Sequence, residues 1–350
     1  MKDTVKVLVV DDTLFMRKAM TQMLERDPQI EVVGAAKNGL EAIEMVKSSR
    51  PDVVTMDIDM PIMNGLTATK HIMIECPVPV VVLSSLTNDG VVTFEALRLG
   101  VVDFVPKPSG AVSSDISAAE QIIIDRIKIA LSVNLENICR VWIKKQWNRE
   151  ERLSNLYGFY PMDHLITVGT TLSGPNTVIR LVTNLPPTLP AAIVVVQEIS
   201  PRIIESFVTE FNENVPWKVV VAKDGMKLEQ GTCYIGSTDM PVEISYDKRG
   251  DPCLIAAEDI ESPLDRLFAS AAEVFHQHSI GVLLTGVGND GTKGFTAIRN
   301  ARGLTIAQAA ECCVYPNLTE TAIMSGVVDK VLDEYYIADY IRSIMADTVA

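Results

Sequence analysis

Apolar runs ending abruptly in charged residues set the rhythm of the first third of the chain. VKVLVV at residues 5–10 is followed by Asp11 and Asp12, DVVTM at 52–56 by Asp57, and VVDFV at 101–105 by Pro106 and Lys107. Continuous apolar runs of this length fit strands covered by helices on both faces. Two more runs, EVVGA at 31–35 and PVVVLS at 79–84, read the same way. Between them, 13–26, 38–49 and 91–99 carry apolar residues at helical spacing, Thr13 can cap the first, and a last helix is expected over 116–133. Alternating strands and helices predict a doubly wound parallel (βα)5 sheet. A second alternation starts near residue 165, with strands in LITVG, AAIVVVQ, WKVVVA, CYIG, SIGVLLTG and LTIAQ and helices over 175–183, 201–211, 263–276 and 292–300. The fold class is therefore α/β with two domains.

Between the two alternations, residues 134–160 turn basic and aromatic, which suggests a helical linker whose Trp142, Trp147 and Tyr157 dock onto a domain. The expected division is 1–125, a linker over 126–160, and 161–350. A chain of 350 residues suits two domains. Its net charge of −14 argues against a nucleic-acid or anionic-membrane binder, because both need basic surface. No apolar run nears the ~20 residues of a membrane span, and MKDTVKVLVVDD enters a strand at once, so neither insertion nor a signal peptide is expected. The six cysteines form no metal spacing and fit buried thiols in a reducing cytoplasm. The Met16, Met20, Met23 and Met60, Met63 sets fit core and loop packing.

Ligands of open parallel sheets bind outside the carboxyl ends of the strands. Adjacent strand ends would there gather Asp11, Asp12 and Asp57 with Lys107. Crowded carboxylates need a cation, and hard oxygen donors with open positions suit Mg²⁺. The DD pair, MDIDMPIMNG at 56–65, LSSLT at 83–87 and DFVPKP at 103–108, in that order, resemble the response-regulator receiver domain. The resemblance implies that Asp57 accepts phosphoryl from a histidine kinase. It implies that Asp11, Asp12, Asp57 and the backbone carbonyl of Asp59 organise Mg²⁺, that Ser84 and Lys107 contact the phosphoryl group, and that Phe104 reorients. Phosphoryl transfer is mainly positioning plus charge neutralisation, which this set supplies.

Downstream, LITVGTTLSGPNTVIRLVTNLP, PAAIVVVQEISP, ESPLDRLFASAA and GVLLTGVGNDGTKGFTAI resemble the chemotaxis protein-glutamate methylesterases of the CheB type. The resemblance implies a Rossmann-like second domain, since that family uses a Ser-His-Asp triad on a Rossmann-like sheet to hydrolyse methyl-glutamate esters, and to deamidate glutamines, on chemoreceptor cytoplasmic domains. Here the serine position reads Thr171, the histidine position Glu198 and the aspartate position Asp290, and the loop methionine reads Val287. A hydroxyl nucleophile needs a nearby base, and glutamate, with a reference pKa near 4.3, is far weaker than imidazole near 6.5. If the family geometry holds, Glu198 faces Asp290 and the two share a proton or hold a cation. Ser173 is expected in a first helical turn, and His71, His164, His276 and His278 fall away from the turn at Thr171. Two functions stay open: a catalytically impaired, phosphorylation-controlled receptor or partner binder, and an active methylesterase and glutaminase.

Overall fold

The computed structural model describes residues 4–84, 90–107, 113–138, 162–257 and 261–347. The chain divides into two compact units, Met1–Arg140 and Val141–Ala350. The expected linker lies largely outside the described residues, including Trp142, Trp147 and Tyr157. No helix among the described residues is long and apolar enough to cross a membrane.

The first unit alternates without exception: β1 (Val5–Val10), α1 (Leu14–Leu24), β2 (Ile30–Ala36), α2 (Gly39–Ser49), β3 (Val53–Asp57), α3 (Gly65–Glu75), β4 (Val80–Ser84), α4 (Gly90–Leu99), β5 (Asp103–Pro106) and α5 (Ser113–Ala130). The five parallel strands run in the order β2-β1-β3-β4-β5. The sequence explains where the helices begin. Thr13, Asn38 and Asn64 each sit just before a helix and accept a backbone N–H three residues on, from Met16, Glu41 and Thr67. Helix α3, whose apolar spacing is weak, is absent from the sequence reading; the Asn64 cap is the signal for it. Since β1 lies between β2 and β3, the chain reverses its direction of winding beside β1, and the ends of β1 and β3 adjoin at that crevice.

In the second unit a seven-stranded parallel sheet is built from β6 (His164–Gly169), β7 (Ala191–Gln197), β8 (Lys218–Val221), β9 (Thr232–Ser237), β12 (Ser279–Leu283), β13 (Leu304–Gln308) and β14 (Lys330–Leu332). The order is β14-β13-β12-β6-β7-β9-β8, so the shortest strands form both edges. Helices α6 (Gly174–Asn184), α7 (Ile204–Asn214), α8 (Pro263–Phe275), α9 (Thr292–Asn300), α10 (Asn317–Met324) and α11 (Glu334–Asp347) connect and cover it. Strands β6 and β7 are buried at every position, as their unbroken apolar runs require. A hairpin of β10 (Val242–Tyr246) and β11 (Pro252–Ala256) stands outside the sheet and is absent from the sequence reading. It packs on α8, where the Ser270 hydroxyl accepts from Ile244 N at 3.0 Å. Trp217 is fully buried and donates from Nε1 to the Leu185 carbonyl at 2.8 Å.

Candidate functional site

At the carboxyl end of the first sheet, oxygen atoms of Asp11, Asp12 and Asp57 lie within 4.8 Å of one another. Asp11 and Asp57 are buried and Asp12 is exposed, so the cluster opens to solvent on one side. The Lys107 ammonium bridges the two buried acids, donating to Asp11 Oδ2 and Asp57 Oδ1 at 2.8 Å each. Thr13 fixes the other oxygen of Asp11 through its N–H at 2.8 Å and its hydroxyl at 2.7 Å. Arg17 Nη1 donates to the carbonyls of Asp11 at 2.8 Å and Asp12 at 2.9 Å, which stiffens the β1–α1 turn. Neither Thr13 nor Arg17 was expected at the site; a threonine and an arginine just past a DD pair are the signal for them.

Burial raises the Asp57 carboxyl above the ordinary aspartate range, opposed by the hydrogen bond from Lys107. Burial pulls the Lys107 ammonium the other way, but its hydrogen bonds to Asp11 and Asp57 outweigh it and lift the group above its usual value. The pocket is thus short of positive charge even with Lys107 in place. Hard oxygen donors around one ammonium fit a divalent Mg²⁺, with Asp11, Asp12 and Asp57 to hold it. Gly65 has a steric role here, since a Cβ at that position would stand 1.9 Å from the Asp57 carbonyl oxygen.

The other expected residues follow on the loop after β3, on β4 and on β5. Asp59 lies in the loop after β3 with its side chain exposed. Ser84 ends β4, and its side chain lies outside the described residues. Phe104 is half-buried on β5 and packs against the apolar core.

The second unit brings Thr171, in the turn after β6, against the loop after β12. Thr171 Oγ1 accepts from Val287 N at 2.7 Å and donates to Val287 O at 3.1 Å. Thr170, beside it, donates to the Thr285 carbonyl at 2.5 Å. The Thr171 hydroxyl is therefore bound in both directions to backbone, with no basic side chain hydrogen-bonded to it among the described residues. Ser173 is not in the first turn of α6: it precedes the helix in left-handed backbone at φ 58°.

The Asp290 carboxylate is engaged by three backbone amides. Its Oδ2 accepts from Leu264 N at 2.8 Å, and its Oδ1 from Asp265 N at 2.9 Å and Gly291 N at 2.8 Å. Asp290 thus caps the first turn of α8. Asp265 answers it by accepting from Gly294 N at 2.8 Å in the first turn of α9. Burial raises the Asp290 carboxyl above the usual range, against the lowering effect of the Leu264 and Asp265 amides. Glu198 follows β7 and is half-buried.

All four histidines are described, and the three of the second unit lie away from the turn at Thr171. His71 is on α3 of the first unit. His164 opens β6, and His278 immediately precedes β12, which runs parallel to β6, so both lie at the amino ends of the strands. Thr171 lies beyond the far end of β6, a separation of roughly 20 Å at ~3.3 Å per residue. The His164 and His278 rings meet edge to face at 4.9 Å, and His276 is exposed beside them.

A family model described as CheB methylesterase matches residues 166–341, and one described as response regulator receiver domain matches residues 7–114. A protein-glutamate methylesterase/protein-glutamine glutaminase of Pyrococcus horikoshii is 34% identical, over 94% of this chain and 90% of its own. A protein-glutamate methylesterase/protein-glutamine glutaminase 3 of Syntrophomonas wolfei is 36% identical, over 97% of this chain and 99% of its own. The crystal structure of the Thermotoga maritima CheB methylesterase catalytic domain is 29% identical, over 52% of this chain and 98% of its own, with a TM-score of 0.49.

Proposed function

We infer the function from one premise: the chain belongs to the CheB methylesterase family and carries a response regulator receiver domain, which makes it a chemotaxis response regulator. In our reading Asp57 is the phosphoacceptor and the donor is a histidine kinase of a chemotaxis pathway. Mg²⁺, held by Asp11, Asp12 and Asp57 with the Asp59 carbonyl, supplies positive charge where the phosphoryl oxygens gather. Lys107, already between Asp11 and Asp57, neutralises a further oxygen. Ser84 and Phe104 carry the change to the rest of the receiver. Acetyl phosphate with Mg²⁺ should add one phosphoryl group to the wild type and none to Asp57→Asn; equal labelling of both removes the assignment.

For the downstream unit we propose binding without hydrolysis: it engages chemoreceptor cytoplasmic domains, or a partner of theirs, under control of the receiver, in the cytoplasm. The observation that carries this is that the three histidines of this unit lie at the amino ends of its strands, away from Thr171, whose hydroxyl is instead bound to Val287. General base catalysis contributes about 10²–10⁴-fold, so turnover of methylated receptor should fall at least about a hundredfold below that of a relative with serine and histidine in place.

The similar proteins favour a second reading. They are named protein-glutamate methylesterase/protein-glutamine glutaminase, and they align over nearly the whole chain. In that reading this chain hydrolyses methyl-glutamate esters and deamidates glutamines on chemoreceptors. An ester-hydrolysis assay on methylated receptor, with acetyl phosphate present, separates the two. Turnover matching such a relative establishes the second and removes the first.

A further inference from the structure

The loop that carries Asp290 is held from two sides by side chains outside it. From one side, Thr171 bonds both the N–H and the carbonyl of Val287, at 2.7 and 3.1 Å. From the other, Asn317 at the start of α10 accepts from Gly288 N at 2.7 Å. Beneath, Gly286 N donates to the Tyr315 carbonyl at 2.9 Å, and the Gly286 carbonyl accepts from Leu318 N at 3.0 Å. The approach of Thr171 requires glycine here, since a Cβ on Gly286 would lie 2.5 Å from Thr171 Oγ1. At its far end the same loop places Asp290 on the first turn of α8, and Asp265 of that turn binds the first turn of α9. Gly288 and Gly291 bracket Asp290 at φ 114° and 95°, backbone that glycine adopts without strain.

We propose that Gly286–Gly291 is a latch, held shut by Thr171 and Asn317, whose opening withdraws Asp290 from α8 and so couples the turn at Thr171 to the first turns of α8 and α9. The threonine hydroxyl then serves as a catch, whichever reading of the unit's chemistry holds. Asp290 is two residues beyond the pinned Gly288 amide. A displacement of Val287 and Gly288 large enough to break both catches therefore moves the carboxylate away from the Leu264 and Asp265 amides.

Native-state amide hydrogen exchange on the full chain tests this. In the wild type Val287, Gly288, Leu264 and Asp265 should all be protected. Thr171→Val keeps the shape and removes the hydroxyl. It should speed exchange about tenfold at Val287, the scale of one lost hydrogen bond, and should speed Leu264 and Asp265 in step. Asn317→Ala, at an exposed position, should accelerate the same four amides and serves where Thr171→Val does not fold. A purely local contact gives another result: only Val287 responds to the first substitution and only Gly288 to the second. That outcome, or open-loop exchange of Val287 and Gly288 in the wild type, overturns the latch.

Discussion

Replacing Asp290 by alanine should cost the downstream unit about 3 kcal/mol of stability. Three backbone amides end on this carboxylate, two of them the first-turn donors of α8, at 2.8 and 2.9 Å. Loss of a helix cap costs about 1 kcal/mol, and a hydrogen bond to a charged group contributes about 1.5–3 kcal/mol. Burial raises the Asp290 carboxyl, which offsets part of that gain, so the low end of the range applies. Asp290→Asn keeps one acceptor oxygen but turns an NH₂ toward one of the three amides, and should lose about half as much. For a unit of this size about 3 kcal/mol corresponds to a melting shift of about 6–12 °C. Tryptophan fluorescence is a suitable readout, because all three tryptophans lie beyond residue 141 and the receiver is silent. An Asp290→Ala chain melting within about 1 °C of wild type would refute the capping argument and return Asp290 to a purely catalytic account.

Lys107→Ala leaves Asp11 and Asp57 buried without their shared cation, and should destabilise the Mg²⁺-free receiver by about 3 kcal/mol; urea unfolding should show the loss and its partial recovery on adding Mg²⁺. Gly65→Ala drives a methyl group to 1.9 Å from the Asp57 carbonyl, so acetyl-phosphate labelling should fall sharply even where circular dichroism shows a folded chain. Burial, and then His278, hold the His164 imidazole below its ordinary pKa. The unfolded chain gains a proton near pH 6.5 where the folded unit does not, so stability is full above that pH and falls as the pH drops through it toward the folded value. Melting curves between about pH 7.5 and 5.5 should show this slope, and His164→Phe should flatten it.

The receiver pocket was legible in the sequence because each of its residues follows an apolar run, and a parallel sheet brings successive strand ends to one edge. Asp11, Asp57 and Lys107 needed no knowledge of the three-dimensional structure beyond that topology. Besides β14, α10 and α11 near the C-terminus, the sequence reading missed α3 and the β10–β11 hairpin, and these two misses have local causes. Helix α3 follows a long loop and shows poor apolar spacing. The β10–β11 hairpin is short, one-sided and built to cover α8 rather than extend a sheet. The capping role of Asp290 was not legible: that its carboxylate meets the amides of Leu264 and Asp265 depends on where α8 begins in space, 25 residues earlier in the chain. Ser173 was placed inside the helix rather than just before it for a related reason, since nothing local marks its left-handed backbone except the glycine and proline that follow.

The lengths of the outermost strands of the large sheet have a consequence for how this protein fares when concentrated or heated. β8 has four residues and β14 three, against five to seven for the strands between them. An edge so short gives a neighbouring molecule few main-chain groups on which to add a strand. The long apolar runs that make the sheet stable, and that would be a fibril hazard if exposed, are kept inside blunt borders.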